Sequence, residues 1–118
     1  MNRRASARTE TSLTLRVHEG PRTREVECVD LSHTGLRVRA PAAPQYFLAT
    51  LVLPDGQRAE LLAQAERADG AFVGCSWTAQ DEASEARVTD FLYECLHRDG
   101  VVPEPARSGT RLVARRAA

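Results

Sequence analysis

The chain contains no lysine, no isoleucine and few aromatic residues, and it lacks a long hydrophobic run. Its sixteen basic residues, all of them arginine, are balanced by sixteen acids, which argues against a polyanion-binding protein that relies on net positive charge. The longest mostly apolar run, residues 46–53, falls well short of the ~18 residues that a membrane-spanning helix needs. With 118 residues, the chain has room for one small domain around a single hydrophobic core.

The cysteines and the missing catalytic patterns exclude several kinds of site. Cys28, Cys75 and Cys95 are widely spaced and form no C-x-x-C or C-x-x-x-H pair, so neither a disulfide framework nor a metal site is expected. The sequence has no glycine-rich phosphate loop, no H-E-x-x-H and no paired catalytic carboxylates, so we expect neither an enzyme nor a cofactor. All three histidines are expected to be exposed to solvent. These features predict a cytoplasmic protein with buried thiols.

Charge is distributed unevenly although the total is zero. Residues 1–24 contain six Arg and two Glu, whereas residues 78–99 contain six acidic residues and two Arg. The end of the chain is basic again. A neutral protein with a basic N-terminal region is typical of one that binds a small anion there.

Alternation of apolar and polar residues predicts β-strands over the first two thirds of the chain. Leu13, Leu15 and Val17 alternate with polar residues, as in a half-buried strand. Turn sequences that contain Gly, Pro or Asp lie between several pairs of successive predicted strands. The six predicted strands lie near residues 12–17, 25–29, 36–39, 46–53, 57–67 and 71–77.

The apolar period changes to that of a helix after the sixth strand. Thr78, with Asp81 three residues later, is predicted to be the N-cap, and Gly100 is predicted to be the C-cap. Five residues at helical spacing predict one buried face: Val88, Phe91, Leu92, Cys95 and Leu96. The whole pattern predicts an all-β fold, a six-stranded antiparallel β-barrel with a C-terminal α-helix. Closing the barrel would remove the exposed strand edges of an open sheet.

Composition divides the chain into three segments. Residues 1–10 have no large apolar side chain except Met1 and are predicted to be a mobile N-terminal segment. Residues 11–99 are predicted to form the barrel and the helix. Residues 100–118, in which Pro, Ser, Gly and Arg are frequent, are predicted to be a disordered basic tail.

Two motifs carry the candidate chemistry. Residues 30–35 (DLSHTG) have the pattern D-x-S-x-x-G, which occurs once. As an ordinary turn, its Asp and Ser side chains would accept hydrogen bonds from nearby backbone N–H groups, and its Gly would take a positive φ. Arg4 and Arg8 have the spacing R-x-x-x-R. This spacing alone is not specific, and it becomes informative because a predicted strand and then the D-x-S-x-x-G motif follow it.

In these residues the sequence resembles the PilZ domain family, bacterial receptors for the second messenger cyclic di-GMP. The resemblance spans about residues 3–98 and rests on Arg4, Arg8 and residues 30–35. It implies a six-stranded antiparallel barrel with a C-terminal helix, in agreement with the strand count above. The sequence departs from the family pattern at residues 9–11, which lack the apolar residue often found after the second Arg, and in its basic tail.

The resemblance implies that cyclic di-GMP is the ligand and that it is bound by Arg3, Arg4, Arg8, Asp30, Ser32 and Gly35. Guanidinium forks can bind phosphates, or the O6/N7 edge of guanine, at two points at once. Asp30 would accept hydrogen bonds from guanine N–H groups, Ser32 offers a hydroxyl, and Gly35 lets the backbone approach closely. In similar domains the residue at the position of Arg3 bears on whether one or two ligand molecules are bound.

The leading interpretation is a receptor or adaptor that signals through ligand-induced ordering of residues 1–10 and through an unidentified protein partner, without a membrane partner. Arg37, Arg39 and Arg67 are further candidates to line the site, although the strand faces they occupy cannot be assigned, and Trp77 is expected in the core. One alternative is a PilZ-like interaction module that does not bind nucleotide. Another is a small nucleic-acid-binding barrel, against which the zero net charge and the few aromatic residues argue.

Overall fold

The computed structural model describes residues 9–98 and confirms the predicted architecture in that part of the chain. Six antiparallel strands close into a barrel in the order β1-β2-β3-β6-β5-β4, and one helix follows them. The barrel closes where β1 pairs with β4. The elements are β1 (Thr9–Glu19), β2 (Arg22–Leu31), β3 (Gly35–Arg39), β4 (Tyr46–Val52), β5 (Arg58–Asp69), β6 (Phe72–Ala79) and α1 (Glu82–Arg98).

The core lies inside the barrel and under the helix. Alternate side chains of each strand point inward, and the largest fully buried ones include Leu15, Leu31, Leu51 and Leu61. The helix α1 packs chiefly against β5 and buries one face, which includes Val88, Leu92 and Cys95. Apolar burial of this kind is the main favourable contribution to folding, so both the strand alternation and the helical stripe follow from the sequence.

The first hairpin is longer than the sequence pattern predicts. The predicted second strand starts near residue 25, but β2 starts at Arg22, which pairs directly with Glu19. Gly20 has a φ of 61°, which gives the two-residue turn the positive first φ that a type II′ hairpin requires. The polar residues at both strand ends therefore continue the ladder, and β1 already begins at Thr9.

The start of the helix also differs from the prediction. Thr78 is not the N-cap, because it belongs to β6 and α1 begins at Glu82. Asp81 is the N-cap instead, since its Oδ1 accepts a hydrogen bond from the Ser84 N–H at 2.7 Å. That hydrogen bond lowers the pKa of Asp81. The predicted C-cap, Gly100, lies outside the described residues, as does the predicted tail.

The histidines are more buried than predicted, whereas the cysteines are buried as predicted. His18 and His33 are half-buried and only His97 is exposed, so the expectation of three exposed histidines is wrong. His18 is held by Thr50, whose Oγ1 lies 2.9 Å from Nε2. All three cysteines are free and buried as predicted, and burial raises the pKa of Cys28 to about 12 and that of Cys75 to about 11. In the stretch from residue 9 to residue 98, no helix combines the length and the apolar character needed to cross a membrane.

Candidate functional site

The D-x-S-x-x-G motif forms the turn between β2 and β3. Ser32 organises this turn, because its Oγ accepts hydrogen bonds from the Gly35 N–H at 3.1 Å and from the Thr34 N–H at 3.4 Å. The Ser32 backbone N–H also donates to the Gly35 carbonyl at 2.8 Å. The hydroxyl proton of Ser32 points to the same carbonyl over a long 3.4 Å contact, so it is available to reorient toward a ligand.

Gly35 is needed for close packing of two strands. It pairs with Ser76 of β6, and a Cβ at this position would lie 3.0 Å from the Cys75 carbonyl oxygen. Gly35 does not have a positive φ, so the positive φ expected of it in an ordinary turn is wrong. A side chain here would lie too close to the Cys75 carbonyl oxygen, so one of the two strands would have to shift by a few tenths of an ångström.

Asp30 lies on the outer face of the barrel because β2 contains a bulge. Cys28 points into the core and pairs with Val38, but the register then shifts, so that Asp30 pairs with Arg37. The extra residue, Val29, reverses the alternation of faces for the end of the strand. The Oδ2 of Asp30 lies 3.2 Å from the Nε of Arg37, and the Asp30 side chain is nonetheless largely buried.

A cleft of about 430 Å³ lies beside this turn on the outer face of β3, β5 and β6. Arg37 and Arg67 line it together with Glu66 and Asp69, so its charge is mixed. The Arg37 Cζ lies 4.8 Å from the centroid of the Phe72 ring. The volume is within the ~300–1,000 Å³ typical of small-molecule sites, and cationic forks, carboxylates and an aromatic ring are the groups that recognise a nucleotide.

A second bulge brings Arg67 into this cleft. The register of β5 against β6 shifts between Ala65 and Arg67, so that Arg67 pairs with Gly74. Without the shift, alternation would place Arg67 on the inner face of the strand. Arg39, the third additional candidate, does not line the cleft; its Nε lies 3.0 Å from the Oε1 of Glu27.

Trp77 is a core residue, as predicted, but it also contacts the motif. The residue is 8% exposed, and its Nε1–H donates to the Ser32 carbonyl at 3.0 Å and to the Gly35 carbonyl at 3.3 Å. Sequence reasoning missed this link, because 45 residues separate Trp77 from Ser32 and no local pattern reports the contact. The one available signal is that Trp is the only aromatic side chain that combines a large apolar ring with an N–H donor.

The structure brings three of the six predicted site residues together, namely Asp30, Ser32 and Gly35. The other three, Arg3, Arg4 and Arg8, lie outside the described residues. Thr9 pairs with Leu31, so the chain enters β1 directly beside the motif turn. Across residues 9–98, no group of three His, Cys, Asp or Glu side chains is arranged to hold a metal ion.

Comparison with known proteins identifies the family. The model of the PilZ domain matches residues 2–94. The structure of the Bacillus subtilis inhibitor of motility (MotI/DgrA) is similar with a TM-score of 0.66 and 15% identity, over 84% of this chain and 52% of that one. The PilZ domain of CeSA from a cellulose-synthesizing bacterium is similar with a TM-score of 0.56 and 22% identity, over 80% of this chain and 99% of that one. No curated protein matches the chain significantly.

At such low identity the two solved structures support the fold, and the chain spans about half the length of the motility inhibitor. The family model matches most of the sequence, including the D-x-S-x-x-G turn whose geometry is described above. The chain therefore belongs to the PilZ domain family, a family of cyclic di-GMP receptors and adaptors.

Proposed function

We propose that this protein is a cyclic di-GMP receptor that acts as a non-enzymatic adaptor, signalling by ligand-induced ordering of its N-terminal segment and by binding a downstream protein. One observation carries the proposal. Asp30, Ser32 and Gly35 form one turn at the edge of an arginine-lined cleft, beside the point where the chain enters β1.

The Asp30–Arg37 pair supports recognition of guanine. A guanine base presents N–H donors on its Watson–Crick edge and the acceptors O6 and N7 on its other side. Asp30 supplies a carboxylate acceptor and Arg37 supplies donors 3.2 Å away, so the two side chains match these two kinds of group. Adenine lacks the corresponding ring N–H donor, so it could not donate a ring hydrogen bond to this carboxylate.

The N-terminal arginines complete the proposed site. The family pattern assigns phosphate and guanine contacts to Arg4 and Arg8, whose guanidinium groups can each bind an oxyanion at two points. Arg3, just before this pair, could stack on the face of an additional guanine. Repulsion among the three positive charges would be relieved when the two ligand phosphates bind. Because Thr9 is anchored opposite Leu31, these contacts would form next to Asp30.

Ordering of this segment provides an output. A segment that folds over a ligand changes the surface next to β1 and β2, and a partner protein that binds this surface would detect the ligand. The ordering cost lowers the affinity below what the contacts alone would give. The three free, buried cysteines fit the reducing conditions of the cytoplasm, where we place this activity.

Calorimetric titration with cyclic di-GMP tests the proposal. We expect saturable binding of micromolar or better affinity, with cyclic di-AMP binding at least about tenfold more weakly. A single-stranded oligonucleotide serves as the comparison, because nonspecific binding of a polyanion falls steeply with added salt. Absence of cyclic di-GMP binding at low and moderate salt would refute the proposal.

A further inference from the structure

Trp77 connects the end of β6 to the motif turn through three hydrogen bonds. Its indole Nε1–H donates to the carbonyls of Ser32 and Gly35, at 3.0 and 3.3 Å. Its backbone N–H donates to the Thr34 carbonyl at 3.2 Å. A single core residue therefore contacts three backbone carbonyls of the turn, those of Ser32, Thr34 and Gly35.

These bonds fix the orientation of the groups that would face a ligand. Holding the carbonyls of Ser32 and Gly35 fixes the peptide planes on either side of the turn. The Ser32 Oγ, which accepts from the Gly35 N–H at 3.1 Å, is oriented by the same two residues. The Gly35 carbonyl also accepts from the Ser32 N–H at 2.8 Å, so the main loss would fall on the buried bond to the Ser32 carbonyl. Losing a hydrogen bond to a buried carbonyl is energetically costly, so removing the indole N–H would favour rearrangement of the turn.

The N–H group distinguishes Trp77 from other residues that would fill this place. Trp77 pairs across the sheet with Ala63, a small buried residue that leaves room for the large ring. Phenylalanine would also fill most of this space, but it could not donate to the turn. Packing alone therefore accounts for an aromatic ring here, whereas the hydrogen bonds require the indole.

We infer that Trp77 is a positioning residue for the ligand-binding turn, because its indole N–H holds Ser32 and Gly35 in the conformation that binds cyclic di-GMP. The inference rests on the proposed function, since it concerns the affinity of the same turn. Trp77 itself lies in the core and acts through the turn.

The single tryptophan of the chain allows a test at the level of one atom. Replacing it with 3-benzothienylalanine keeps the shape of the ring but puts sulfur in place of N–H, whereas 5-fluorotryptophan keeps the donor and is the matched control. Trp77→Phe is the genetically encoded counterpart. Val88→Ala, which removes buried methyl groups from α1, controls for a general loss of stability.

Two measurements are made on each protein: amide hydrogen exchange at Ser32 and Gly35 without ligand, and calorimetric affinity for cyclic di-GMP. With the benzothienyl side chain we expect exchange at both amides to become about tenfold faster and affinity to fall about tenfold. Trp77→Phe should change both in the same direction. The fluorinated protein and Val88→Ala should keep the affinity of the unmodified protein.

The outcomes separate this inference from the proposed function. Unchanged exchange with the benzothienyl side chain would overturn the inference, and so would faster exchange with unchanged affinity. If the unmodified protein does not bind cyclic di-GMP, the proposed function fails. Exchange at Ser32 and Gly35 then decides by itself whether the indole N–H holds the turn.

Discussion

The carboxylate of Asp30 and the guanidinium of Arg37 lie 3.2 Å apart on directly paired residues of β2 and β3. The Asp30 side chain is 9% exposed and that of Arg37 is 44% exposed, and Arg37 also lies over the ring of Phe72. A half-exposed ion pair contributes little to stability. Its consequence is orientation, since the carboxylate acceptor is held beside the donors of Arg37, a residue that lines the cleft.

Asp30→Ala is expected to weaken cyclic di-GMP binding by roughly tenfold to a hundredfold. It should also bring the affinities for cyclic di-GMP and cyclic di-AMP closer together. The reason is that the acceptor for the guanine N–H groups is removed. Glu25→Ala is the matched control, because Glu25 is also a carboxylate on β2 paired with an arginine, Arg16. Competition titrations with the two dinucleotides measure both effects. Equal affinity of the unmodified protein for both dinucleotides would contradict the role of Asp30.

Arg8→Ala and Arg4→Ala are each expected to lower cyclic di-GMP affinity by roughly tenfold to a hundredfold, because each removes a charge-assisted contact. Arg22→Ala, at the exposed start of β2, removes the same charge elsewhere and should leave the affinity nearly unchanged. Titration calorimetry at one fixed ionic strength measures all three variants. Equal losses for Arg22→Ala and Arg8→Ala would indicate a general charge effect and would contradict the site assignment.

Trypsin cleavage tests the proposed ordering of the N-terminal segment. Cuts after Arg4 and Arg8 are expected to be fast without ligand and strongly slowed by saturating cyclic di-GMP, because an ordered segment does not fit the protease. Cuts after Arg107 and Arg111 serve as an internal control and should proceed at the same rate in both samples. Mass spectrometry of the fragments over time gives the rates. Identical rates at Arg4 and Arg8, with titration showing saturation, would remove the support for this output.

Asp81→Ala is expected to lower the melting temperature by about 4–8 °C at neutral pH, because it removes the N-cap of α1. Asp81→Ser should retain most of the stability, since a hydroxyl can also accept from the Ser84 N–H. The matched control is Asp90→Ala, which changes an exposed carboxylate within the same helix. Thermal unfolding followed by circular dichroism provides the measurement.

The stabilisation that the Asp81 cap provides is expected to decrease as the pH falls. The hydrogen bond from Ser84 lowers the pKa of Asp81 in the folded protein. The ionised cap therefore contributes stability above the pKa of the unfolded chain, about 4, and this contribution is lost as the pH falls through the lower folded value. The difference in melting temperature between the unmodified protein and Asp81→Ala should shrink below about pH 4. A difference that stays constant to lower pH would contradict this account.

Local patterns were sufficient to predict the elements of the fold. The alternation of Leu13, Leu15 and Val17 and the apolar stripe along α1 reflect which faces are buried, and every residue carries that information in its own polarity. The D-x-S-x-x-G turn was recognisable for the same reason, since Ser32 bonds to groups within three residues of itself.

The faces and contacts that build the site depend on the tertiary structure. A strand alternates with a period of two, so the one extra residue in β2 moves Asp30 from the inner to the outer face, and the shift in β5 does the same for Arg67. Such a bulge exists only relative to a partner strand, and no residue of β2 or β5 alone specifies it. The bond from Trp77 to Ser32 likewise joins residues 45 positions apart, and only the pairing of β3 with β6 brings that donor and acceptor together.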